Sequence, residues 1–184
     1  PENPQVPEVK HTSFISNPID NFIVKQLENL NLSPSEKEDK EILLRRASLD
    51  LTGLPPTLEE LDAFIQDSSL NAFEKQIDRL LASAHYGEHM TLDWMDLSRY
   101  ADTHGYSNDK YRDTSPWRDW VIEAFNQNMP YDEFLTWQLA GDMFENSTRE
   151  QKLATTFNRL HPQNLEGGII DEEFRSEYVA DRTA

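Results

Sequence analysis

Between Trp94 and Asp113 the chain reads WMDLSRYADTHGYSNDKYRD, a passage that crowds Asp96, Arg99, Asp102, His104 and three tyrosines together. Such density suits a catalytic or metal-binding site, and equally a polar clamp that holds a loop in place. On a helix ending near Tyr100, Asp96 and Arg99 stand at i and i+3 and can pair. Asp102 and His104 follow on the exit loop, where a carboxylate can orient an imidazole or both can ligate a metal. Asp102, Asp109 and Asp113 offer oxygens to a hard cation, but the spacing DTHGYSND is not that of a calcium loop. The structural alternative is an Arg99–Asp102 salt bridge that anchors the loop.

Three other stretches carry candidate chemistry. HYGEH (85–89) follows the H-x-x-E-H order in which His85 and His89 would bind zinc and Glu88 would act as base. Gly87 inside it reads more like a helix start, and then both histidines are surface residues near a helix N-terminus. In PWRDW (116–120), Trp117, Trp120, Arg118 and Asp119 can wall a sugar or haem pocket, or the indoles can be core. In LEGGIIDEEFRSEY (165–178) tandem glycines precede a helix, where backbone amides can meet an anion. Its acidic first turn, Asp171-Glu172-Glu173, already complements that dipole. Those carboxylates can meet a cation or the arginines Arg118, Arg159 and Arg175. No phosphate loop, dinucleotide fingerprint or serine elbow is present.

The elements that must position these residues read as helices. Asn17 caps a helix with Pro18 at its first position and Ile19, Phe22, Ile23, Leu27 and Leu30 on one face. Ser35 is expected to cap EKEDKEILLRRASLDL, which Gly53 and Pro55–Pro56 stop. Thr57 and Glu60 form a capping box. Further helices are expected over AFEKQIDRLLAS, over Tyr86–Tyr100, from Pro116, from Pro130 to near Gly141, from Ser147 or Thr148 to Pro162, and over IIDEEFRSEYVADR. No stretch alternates apolar and polar residues between hairpin turns. The prediction is an all-α fold, an irregular multi-helix bundle of about eight or nine helices. Residues 1–16, rich in proline, read as an extended linker or arm, and 17–184 as a single helical domain.

Composition limits the partners. Thirty-four acidic against 17 basic residues give a net charge of −17, which repels a nucleic-acid backbone and disfavours an anionic bilayer. Four Trp, six Tyr and nine Phe argue for a packed core. No apolar run approaches the roughly 20 residues of a membrane-spanning helix. With no cysteine, disulfides, thiolate ligands and covalent haem attachment are excluded within this chain.

Four collinear strings, RRASLDLTGLPPT (45–57), ASAHYGEHMTLDWMDLSRYADTHGY (82–106), WRDWVIEAFNQNMPYDEFLTWQLAGD (117–142) and EGGIIDEEFRSEYVADR (166–182), resemble one family. It is the domain of unknown function found in planctomycete-type cytochrome c proteins and their relatives in Bacteroidetes and Verrucomicrobia. The resemblance implies an exported multidomain protein, periplasmic or at the cell surface, in which a C-x-x-C-H haem segment follows this domain. It implies a c-type haem in the full-length protein and none within this chain, which reads as a piece of something larger. It also maps family strings onto Arg99, Asp102, Gly105, Tyr106, Asp142, Glu172, Glu173, Arg175, Tyr178, Asp181 and Arg182, without assigning a catalytic residue.

The leading expectation is a helical module that forms a pocket or docking surface beside the haem segment and supports electron transfer. Arg99, Asp102, Trp117, Arg118, Asp142, Glu172, Glu173 and Arg175 are its expected binding residues. A second expectation is an active site of its own for a carbohydrate-like substrate, using Asp102 and His104 with Asp142 or Glu173. A third is a non-catalytic scaffold whose acidic face docks a basic protein.

Overall fold

The structure, a computed structural model, describes residues 3–183. The first two residues of the expected arm and Ala184 lie outside the described residues. Those described form nine α-helices and three short 3-10 turns, with no strand beyond one isolated bridge, so the fold is all-α as expected. No helix among them is long and apolar enough to cross a membrane. They group into two compact units, divided in the chain between Asp39 and Lys40.

The first unit is built on α1 (Pro18–Asn29). Asn17 Oδ1 accepts from the Ile19 amide at 2.8 Å, and Asp20 accepts from the Asn17 amide at 3.0 Å. This capping box satisfies amides that a helix start leaves orphaned. The stretch expected as an extended linker or arm is hydrogen-bonded to this helix. Asn21 donates to the Pro7 carbonyl at 3.0 Å, and the Lys10 and His11 amides donate to Glu28 at 2.6 and 3.0 Å.

In the second unit, α2 (Lys40–Thr52) starts later than Ser35 suggests. Glu36–Asp39 hold no apolar side chain to bury, so nothing anchors another turn. Lys40 instead donates to the Phe64, Ile65 and Asp67 carbonyls at the end of α3 (Leu58–Gln66). With α4 (Ala72–Leu81), these helices enclose Leu44, Phe64 and Ala72. A larger core of Trp117, Trp120, Val121, Ala124, Phe134, Ala154 and Leu160 lies among α6 (Ser115–Asn126), α7 (Tyr131–Ala140) and α8 (Arg149–Ala154). Between the two clusters runs α5 (Ala84–Leu97), packed on both α2 and α6. Gln138 is fully buried between helices, accepting from the Trp94 indole at 3.0 Å and donating to the Phe134 carbonyl at 3.2 Å. The last helix, α9 (Asp171–Thr183), buries no residue fully.

Candidate functional site

The exit loop of α5 is built by a helix stop that is unusual in its residue. The Arg99 amide donates to the Asp96 carbonyl and the Tyr100 amide to the Met95 carbonyl, both at 3.0 Å. This is a Schellman stop, whose left-handed position normally falls to glycine or asparagine. Here Arg99 occupies it, at φ +57°. The loop then pinches shut. Arg112 donates its amide to the Asp102 carbonyl at 2.8 Å, His104 to the Lys110 carbonyl at 3.1 Å, and Thr103 bridges Tyr111. Gly105, at φ +83°, donates to the Asp109 carboxylate at 2.7 Å. Thr114 Oγ1 donates to the Ala101 carbonyl at 3.0 Å, and the Tyr100 ring stacks on Trp117.

This loop is stitched to the segment after α8, residues 159–165, and to α9. The Gln163 amide donates to the His104 carbonyl at 2.9 Å. The Arg112 guanidinium reaches the carbonyls of Arg159, His161 and Leu160 at 3.2, 3.1 and 3.4 Å, capping the 3-10 turn Thr155–Arg159. From α9, the Tyr178 hydroxyl accepts from the Asn164 amide at 2.7 Å, and its ring lies 4.7 Å from the His161 imidazole. Phe174 meets Tyr106 edge-on. Arg182 donates to Asn158 at 2.7 Å. Across 82 residues of sequence, Arg99 clasps Asp181 with two parallel bonds of 2.9 Å each. The RYADTHGY, HPQNL and EYVADR strings thus meet in one polar seam.

Charge in the seam follows that geometry. The bond to Asp181 raises the Arg99 guanidinium further above its ordinary range, and the same pair lowers the Asp181 carboxyl. Burial, and then the hydrogen bond to Asp102, raise the Tyr100 phenol. Burial lowers Arg112, which has no carboxylate partner. His161 is lowered by burial first, then by the nearby charge of Arg182. The Nδ1 atoms of His104 and His161 and Nε of Arg112 are buried without a hydrogen-bond partner.

Because His161 is held below its ordinary value of 6.5, the folded chain binds its proton less readily than the unfolded chain does. Stability tied to this group is present above 6.5 and lost as pH falls through 6.5 and down through the folded value. Urea midpoints measured between pH 7.5 and 5 should therefore fall. The fall should be shallower in His161→Gln, and parallel curves for the two chains would refute the assignment.

The expected site residues are dispersed by this arrangement. Arg99 pairs with Asp181, and not with Asp96 or Asp102 as the i, i+3 and loop-anchor readings expected, because the left-handed stop turns its side chain toward α9. Asp102 is exposed and accepts from the Tyr100 hydroxyl at 2.7 Å, while His104 is half-buried and makes no hydrogen bond with it. Trp117, 0% exposed, is core, and Trp120, 9% exposed, packs in the same core and reaches the surface only where it lines a groove beside Trp137. Arg118 is taken by its neighbour Asp119 at 2.8 Å. Asp142 stands on the 3-10 turn Gly141–Met143, packed against α7 and α8. Glu172 and Arg175 pair one turn apart on the open face of α9, where Glu173 is also exposed. His85 bonds Glu88 at 2.6 Å, whereas the His89 ring rests on Gly53. Among the described residues no group of three His, Asp or Glu side chains is arranged to hold a metal.

Arg112, His161 and Asn158 are seam residues absent from the expected set. Arg112 lay in the quoted passage, but its partners are backbone carbonyls, which carry no residue signature. His161 belongs to no motif and precedes the proline expected to end a helix. Tyr178, Asp181 and Arg182 belonged to a family string without a stated role. Among the described residues, the seam's hydrogen bonds run from Arg99, Arg112 and Arg182 to a carboxylate, backbone carbonyls and an amide oxygen, and from the Asn164 amide to the Tyr178 hydroxyl.

No curated protein and no solved structure matches this chain. One family model does, over residues 18–184, which takes in α1 and every element of the seam: the chain belongs to the PSCyt2 family, a protein of unknown function (DUF1549).

Proposed function

We propose that this domain is the docking module of an exported, c-type cytochrome-linked protein, in which the seam holds α9 as the platform for a haem-bearing segment. The observation that carries the reading is Arg99. A non-glycine residue at a left-handed position costs about 1–2 kcal/mol and persists where its side chain is needed. What this side chain does is fix α9 through Asp181. The haem setting rests on the resemblance drawn from the quoted strings, where a C-x-x-C-H segment follows the EYVADR string. The chain's lack of cysteine is consistent with that division of labour: the attaching thiols would belong to the neighbouring segment. The bound haem would supply one-electron chemistry, and the residues here would orient the segment that carries it. An active site within this domain is less well supported, because Asp102, His104, Asp142 and Glu173 make no hydrogen bonds to one another.

Arg99→Gly separates the clamp from the fold. It relieves the left-handed strain and removes an exposed ion pair, which is of small worth. Stability by urea denaturation should therefore hardly change. In a protein that also carries the following segment, Arg99→Gly and Asp181→Ala should shift the visible haem absorption or slow its reduction. Absence of haem from that longer protein, or unchanged spectra and rates in both variants, would overturn the proposal.

A further inference from the structure

A second surface, independent of the seam, lies where α6, α7 and α8 meet. A cavity of about 330 Å³ is lined there by Trp120, Trp137 and Met129, with Glu123, Glu133 and Glu150 around it. The volume is at the small end of ligand sites and suits one long side chain. The two indoles stack with centroids 6.4 Å apart, and Trp137 is only half-buried.

Each helix contributes a carboxylate. Glu123 stands at i+3 from Trp120 on α6, Glu133 at i−4 from Trp137 on α7, and Glu150 comes from the first turn of α8. None is in an ion pair among the described residues, and Glu123 only accepts from the neighbouring Gln127 amide at 2.6 Å. The basic residues of these helices, Arg118, Arg149 and Lys152, do not line the cavity. An apolar, aromatic floor under three uncompensated carboxylates is complementary to a cation on an aliphatic stem. The stem can lie on Met129 and the half-buried Trp137 while the charge meets the carboxylates.

We propose that this groove docks a lysine or arginine side chain presented by a basic segment of a partner protein. The charge balance of the whole chain, −17, favours the same encounter at long range. A second copy of this chain, equally acidic, is a poor occupant.

The test is a titration of the 184-residue chain with a short lysine-containing peptide, read on the Trp137 indole N–H resonance. Saturable binding that weakens as salt rises is expected. The exposed-face substitutions Glu133→Gln and Glu150→Gln, made together, should weaken it about tenfold without moving the urea midpoint. Equal binding of the same peptide with norleucine in place of lysine would overturn the proposal in favour of plain apolar docking. Response to a neutral oligosaccharide and not to the peptide, or no saturable shift, would overturn it as well.

Discussion

Gly87→Ala should lower the stability of the chain by about 2–3 kcal/mol, the opposite sign to what helix propensity dictates. In an exposed helix interior, alanine is favoured over glycine by about 1 kcal/mol. Gly87 is not in that setting. It lies on the face of α5 pressed against α6, and its amide donates to Asn126 Oδ1 at 2.8 Å. Asn126 in turn donates to the Ala84 carbonyl at 3.3 Å, so one amide side chain secures the first turn of α5. A Cβ on Gly87 would stand 2.4 Å from the Ile122 carbonyl oxygen and 2.6 Å from Asn126 Oδ1. The first of these is backbone and cannot step aside, so relief requires the two helices to part. That would open the contact on which Thr91, 0% exposed, also depends. Urea denaturation should show a lower midpoint with an unchanged slope. Gly167→Ala, where an added Cβ meets nothing within 4 Å, serves as the control and should be close to neutral. A raised midpoint for Gly87→Ala would show that propensity, and not close approach, governs the position.

Gly87 also marks where reading the chain one residue at a time stops being sufficient. Inside HYGEH it suggested the start of a helix, and it does lie in the first turn of α5. Its reason for being glycine sits on α6, in the Ile122 carbonyl that leaves no room for a Cβ. Helix starts were legible where the cap is local: Asn17 with Asp20, Thr57 with Glu60, and Thr148 with Gln151 each satisfy amides within three residues. The start of α2 was misread because the acidic run before Lys40 has good propensity and nothing to bury. The aromatic cluster at PWRDW was visible as a pattern, but whether it faced a pocket or the core depends on α7 and α8, which arrive later in the chain. The seam was the least legible part. Arg99 and Asp102 are near in sequence and suggested a pair, whereas the left-handed turn sends Arg99 to Asp181. Arg112 speaks to carbonyls, and any sequence supplies carbonyls.

Arg112→Met should be the most damaging single change in the seam, at about 2–3 kcal/mol, and larger than either substitution at the Arg99–Asp181 clasp. The clasp is an exposed pair, with side chains 51% and 40% accessible, and water replaces much of what it provides. Arg112 is half-buried, and its fork satisfies three carbonyls at the end of the Thr155–Arg159 turn, where no amide is placed to do so. Methionine keeps most of the aliphatic stem while removing every donor, so the loss reads the carbonyls left without a partner and not a new cavity. Arg112→Lys keeps the charge without the planar fork and should recover only part of the loss. The effect should also be local before it is global. Hydrogen exchange of amides in α9 and in residues 159–165 should quicken in Arg112→Met, while amides of α2–α4, packed around Leu44 and Phe64, should keep their protection until the whole chain unfolds. A chain in which Arg112→Met shifts the urea midpoint less than Arg99→Ala does would mean that the ion pair, and not the guanidinium on the carbonyls, holds the seam. Uniform loss of protection across all helices would mean that the seam is no separate structural layer.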